Sequence, residues 1–209
     1  MTAIILGLLL GLRHATDGDH VVAVTAIVAR ERSLLRAAQV GALWGVGHTL
    51  TLVLVGGAIV AFRLVIPPRV GLGLEFGVAL MLIALGYSNL RPAGVPTAER
   101  AAARPFLVGT VHGLAGSAAV ALLVLATIRE TVPAFIYLFV FGLGTIIGMV
   151  VVTVILAAPA LYAGTRIVKL QSGIRLAAGV LSIGFGLLLA RELIVDGGLF
   201  SATPTWDPH

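Results

Sequence analysis

The sequence predicts an all-α integral membrane protein of six transmembrane helices, arranged as two inverted three-helix repeats. Three observations carry that expectation: a composition suited to lipid, six apolar runs of spanning length, and a weak likeness between the two halves of the chain. Of 209 residues, 59% are hydrophobic and 11% charged, with a mean hydropathy of +1.09, a balance far from that of soluble domains. The net charge of +5 would suit nucleic acid in a soluble protein. Here the basic residues stand in short loops between apolar runs, where they report orientation instead, so nucleic acid is excluded as a partner and the lipid bilayer takes its place. The chain has no cysteine, which excludes disulfides, thiolate metal sites and thiol redox chemistry.

A bilayer core of about 30 Å needs roughly 20 apolar residues per helix. The chain offers such runs at about 3–29, 38–62, 70–90, 106–128, 132–161 and 172–194. The opening "MTAIILGLLLGL" lacks a basic leader and a small-residue cleavage site, and its run continues to Val28, so it reads as a retained helix. Charged punctuation separates the runs: "RERSLLR", "RLVIPPR", "RPAGVPTAERAAARP", "RETVP" and "GTRIVKLQSGIR". The third of these divides the chain into a first repeat at 1–91, a cytoplasmic linker at 92–105, a second repeat at 106–196 and an external tail at 197–209. Nine basic residues follow spans one, three and five (Arg30, Arg32, Arg36, Arg91, Arg100, Arg104, Arg166, Lys169, Arg175) against Arg63, Arg69, Arg129 and Arg191 on the other side. The excess marks the cytoplasmic face of the inner membrane and leaves both termini outside. The tail is then a loose external segment with His209 solvated at its end.

The halves match in order. "GLRHATDGDHVVAV" aligns with "GTVHGLAGSAAVAL", superposing His14 on His112 and Asp19 on Ser117; "WGVGHT" aligns with "FGLGTI", and "LEFGVALMLIALG" with "IRLAAGVLSIGFG". Three spans per half force the second half to insert upside down, the pattern of an inverted-repeat transporter with its site where the repeats meet.

"RHATDGDH", residues 13–20, sits inside the first apolar run. Each charge at the centre of a membrane helix costs roughly 2.5–3.5 kcal/mol, so these side chains must face the bundle interior. At helical spacing His14, Asp17 and His20 share one face and Asp19 points nearly opposite. A kink or unwinding at Gly18 would bring Asp19 into the same site. Arg13 is assigned to a carboxylate as a structural counter-ion, and the residues leave open which aspartate takes that role. In the second run, Gly45 and Gly47 of "LWGVGHTLTL" permit close helix approach, and His48, followed by Thr49 and Thr51, supplies a third imidazole in or beside the site. Imidazole with carboxylate suits divalent Ni, Co, Zn, Fe or Mn rather than Cu(I). His112 reads equally as packing and as part of a pathway. Ser117 reads as packing glue, and Asn89 as a polar helix end. Glu75 has three readings: reaching the external interface, pairing with an arginine, or gating protons.

These residues resemble the nickel/cobalt transporter (NiCoT) family, in particular its short six-span members associated with urease and hydrogenase maturation. The family signature, His, four residues, then Asp-His, is met by "HATDGDH", and its second element, Gly-His-Ser/Thr, by "GHT" at 47–49. The resemblance implies that His14, Asp17, Asp19, His20 and His48 recognise the metal; His112, Glu75, Thr49 and Ser117 are candidate pathway residues from their own positions in the spans. It implies a permease, not an enzyme: a secondary transporter of Ni²⁺ or Co²⁺ as substrate, with no resident cofactor, and a second copy or a metallochaperone as partner. No phosphate-cradling loop is present, and the loops contain no histidine, which favours import over export. The other readings are an intramembrane metalloenzyme, disfavoured by the absence of HExxH and of a nucleophile beside the cluster, and a purely structural polar cluster in a membrane scaffold. Because neutral imidazole is the ligand, acid should weaken uptake.

Overall fold

Long apolar sequences with short charged breaks have one way to satisfy their backbone in lipid, which is to close every amide onto its own helix. The computed structural model describes residues 2–29, 31, 33–62, 64, 66–91, 98–114, 128, 130–166 and 168–206, and the secondary structure among them is helical. The helices are α1 (Thr2–His14), α2 (Gly18–Val28), α3 (Leu34–Phe62), α4 (Pro68–Leu90), α5 (Ala98–Leu114), α6 (Thr131–Arg166) and α7 (Val168–Val195). Four segments are long and apolar enough to cross a membrane: Leu34–Ile59, Pro68–Leu90, Thr131–Pro159 and Ser172–Val195. Ile4–His14 and Gly18–Val28 are shorter apolar helices. Large side chains such as Leu54, Phe139, Ile155 and Leu188 point outward, as lipid-facing residues do. This is a helical membrane protein.

Four expectations change. The first apolar run is two helices, α1 and α2, unwound at 15–17 just before Gly18 rather than at it. The segment 92–105 is helical from Ala98 onward, because "AERAAAR" is rich in strong helix formers. The charged stretch after the fifth run is largely helix as well, since α6 continues to Arg166 and α7 begins at Val168. Finally, the tail is docked. Thr205 donates its backbone N–H to Gly197 at 3.0 Å, Arg69 Nη2 donates to the Ser201 carbonyl at 2.9 Å, and Trp206 lies against Gly71. Residues 92–97 of the linker, 115–127 of the fourth run with Ser117, and 207–209 with His209 lie outside the described residues.

α3 packs between α5 and α6, α1 runs along α6, and α4 pairs with α7. α2 fits into the middle, touching α3, α4, α6 and α7. Helices in lipid associate through close packing rather than hydrophobic expulsion, and glycines make that possible here. A Cβ on Gly113 would meet the His48 carbonyl at 2.5 Å, and one on Gly47 or Gly109 would collide with the carbonyl of Phe106 or Trp44. α3 and α5 therefore touch backbone to backbone. Trp44, Val24, Leu82 and Met149 fill the core beside this contact. At the α2–α3 connection, burial raises the Glu31 carboxyl above its ordinary range, partly offset by Arg36 and Arg104.

Candidate metal centre

The break in the first run decides which side chains meet. α1 ends at His14, and the chain turns through Ala15, Thr16 and Asp17 before α2 begins at Gly18. The turn is closed by Thr16 N–H to Arg13 O at 2.8 Å and Asp17 N–H to His14 O at 3.1 Å. Asp17 holds the extended backbone, φ −61° and ψ 147°, at the N-cap position of α2, where its side chain makes no capping hydrogen bond. Gly18 is already helical, and a Cβ there would make only ordinary contact with Phe185 at 3.5 Å. The opening thus comes from the turn before Gly18, not from glycine's backbone freedom.

This turn breaks the straight-helix register, and Asp19 joins the same polar centre. Asp17 Oδ2 accepts from His14 Nδ1 at 2.7 Å. Asp19 Oδ1 accepts from the His20 backbone N–H at 2.8 Å and from His20 Nδ1 at 3.0 Å, while its Oδ2 accepts from His112 Nε2 at 2.7 Å. His14 Nε2 and His48 Nε2 stand 3.2 Å apart. The rings form one group: centroids lie 4.5 Å apart for His14 and His20, 5.1 Å for His14 and His48, and 4.1 Å for His20 and His112. All four histidines are buried, His20 and His112 at 0% exposure. Two sets each bring one donor atom per residue within 4.8 Å of the others: His14, His20 and His48, and Asp19, His20 and His112. Three ring nitrogens in this group, His20 Nε2, His48 Nδ1 and His112 Nδ1, are buried without a hydrogen-bond partner among the described residues.

Unpartnered buried polar atoms cost about 1–3 kcal/mol each, so several at one point mark a place built to receive something. Imidazole nitrogens suit a borderline divalent metal ion. The centre brings together His14, Asp17, Asp19, His20 and His48, and it also includes His112, which the sequence left undecided. Arg13 is exposed, and the aspartates turn to imidazoles instead of to its guanidinium. Thr49 stands apart, donating to the Gly142 carbonyl at 3.1 Å across α3 and α6. Glu75 accepts from Trp206 Nε1 at 2.9 Å, a partner not among the three readings given to it. Asn89 does stand at the end of α4, its penultimate residue, and there it is fully buried and donates to the Ala26 carbonyl of α2 at 2.5 Å.

Trp44 was missed. Its ring lies 5.9 Å from that of His20 and within 8° of parallel, and 5.7 Å from that of His112. Its position one helical turn before His48 was the available signal.

The chain is 31% identical over 219 aligned positions to the urease accessory protein UreH of Bacillus sp. (strain TB-90), covering 96% of this chain and 95% of that protein. No protein-family model matches the chain, and no solved structure matches it at a significant level.

Proposed function

This chain belongs to the family of urease accessory proteins that includes UreH, and from that membership we propose that it is a secondary transporter carrying a divalent transition-metal ion, nickel before cobalt, inward across the cell membrane. The observation that carries the proposal is the buried group of four imidazoles with unpartnered ring nitrogens inside an apolar bundle. Ionisable groups at such depth are costly and mark ion pathways. The relative's tie to urease and the NiCoT-like signature both favour nickel. The ion is cargo rather than a resident cofactor: it would exchange water for ligands at the cluster and leave on the opposite side as the surrounding helices rearrange. A gradient, the membrane potential or a separate partner, such as a metallochaperone, would supply the driving force.

Six spans in two inverted repeats, 1–91 and 106–196, with both termini external, complete the proposal. The packing supports it. Exchanging spans one, two and three with four, five and six preserves the four most extensive packings: α3 with α6 and α4 with α7 map onto themselves, and α3 with α5 maps onto α6 with α1. Phe141 against His14, centroids 5.5 Å apart, is then the counterpart of Trp44 against His112 at 5.7 Å.

The test is nickel accumulation in cells making the wild type or His20→Ala at matched membrane abundance. Higher nickel with the wild type supports import. Lower nickel would reverse the direction to export through the same ligands. Equal nickel, with nickel supplied, would remove nickel transport through this cluster.

A further inference from the structure

The hydrogen bonds around the cluster assign its imidazoles their tautomers. A carboxylate only accepts, and a neutral imidazole has one N–H and one lone pair. Asp17 therefore sets the proton of His14 on Nδ1. Asp19 sets one proton on Nδ1 of His20 and another on Nε2 of His112. The lone pairs that remain are on His14 Nε2, His20 Nε2 and His112 Nδ1. Two of these are the buried, unpartnered nitrogens of His20 and His112. The third meets His48 Nε2 at 3.2 Å, so His48 donates there and leaves its own Nδ1 unpartnered. A change of tautomer on His48 would turn a second Nε2 lone pair toward that of His14, where a cation could take both.

The aspartates, by contrast, already serve imidazoles, Asp17 through Oδ2 and Asp19 through both oxygens. Both Asp19 oxygens already accept, from His20 and from His112. An ion on these oxygens would compete with the bonds that hold the two rings in their tautomers. Resting on the reading of this cluster as the transported ion's site, we propose that Asp17 and Asp19 are positioning residues, and that the ion is held by imidazole nitrogens of His14, His20, His48 and His112. Each of α1, α2, α3 and α5 then contributes one donor. Asp19 ties α2 to α5 by fixing a histidine on each, so the site is complete only while those two helices keep their register. A carboxylate behind a ligating histidine raises the ring's basicity and holds its orientation, and its loss typically costs 10–100-fold in metal affinity.

The experiment uses the full-length protein purified in detergent and loaded with Co²⁺. X-ray absorption counts imidazole neighbours, and infrared difference spectra between the Co²⁺-loaded and metal-free protein report whether an aspartate coordinates. The expected wild-type result is an imidazole-rich shell with no coordinated-carboxylate band. His112→Gln should lower the imidazole count by one, and Asp19→Asn should weaken Co²⁺ binding by about 10–100-fold with the imidazole count at saturation unchanged. A coordinated-carboxylate band in the wild type that Asp19→Asn removes would overturn the assignment while leaving the transport reading intact. An imidazole count unmoved by His112→Gln would do the same. A wild-type protein that retains neither Co²⁺ nor Ni²⁺ would overturn the transport reading and the assignment with it. The wild-type spectra decide the role of the carboxylates even where a variant fails to fold.

Discussion

Two buried polar contacts in this bundle look alike by composition and differ in what they leave undone. At one, Glu75 of α4 accepts from the indole of Trp206, which the tail carries back over Gly71. At the other, four histidines and Asp19 gather between α1, α2, α3 and α5, and three ring nitrogens remain without a partner among the described residues. The first contact is made between two parts of the chain and fastens the tail to α4. The second holds three ring nitrogens that no described residue uses. In a medium without water, that difference separates a fastening from a receptor.

The largest effect expected from this contrast is at His48. His48→Leu should weaken Co²⁺ binding by at least the roughly 10–100-fold that even an outer-shell partner is worth. It should change the thermal stability of the metal-free protein by no more than about 1–3 kcal/mol, since the apolar replacement removes one unsatisfied buried nitrogen but takes the donor away from His14 Nε2. Titration of the purified variant beside a melting curve reads both. A large loss of stability without metal would make His48 a fastening too. Next comes acid. Lowering the pH should weaken Co²⁺ binding, because protons and the ion compete for the same imidazole nitrogens, measured as apparent Kd against pH. Binding that holds or strengthens on acidification would argue against imidazole donors. The smallest effect is at the tail: Trp206→Phe keeps the ring and removes its N–H. It should cost about 1 kcal/mol of stability and change Co²⁺ affinity by less than about twofold, so a tenfold change would join the two contacts into one device.

Much of this was legible from the residues, and the reasons for the rest are local. The membrane class follows from composition, and the clustering of His14, His20 and His48 from the cost of burying them in apolar runs. The unwinding was anticipated but placed on Gly18, whereas the extended residue is Asp17. Asp17 stands at the N-cap of α2 without capping it, its carboxylate turned to His14 instead. His112 was undecided because a lone histidine among small residues reads as packing. Gly109 and Gly113 flank it at the spacing that brings helices into close contact, and their approach to Trp44 and His48 carries His112 into the centre. The docked tail could not be read from pattern, since Glu75 and Trp206 are 131 residues apart. Nothing in the sequence near either residue names the other.

The turn at Ala15–Asp17 has an electrostatic consequence of its own. It cuts one span into two short helices that meet near the histidines, so a macrodipole ends and another begins where a straight helix would have neither pole. The carbonyl end of α1, at His14, carries partial negative charge and favours a cation. The amino end of α2, which would repel one, has its own anions in Asp17 at the N-cap and Asp19 in the first turn. The backbone and the acidic side chains together thus tilt the local potential toward positive charge before any imidazole binds, and the same residues on an unbroken helix would have to do so through side chains alone.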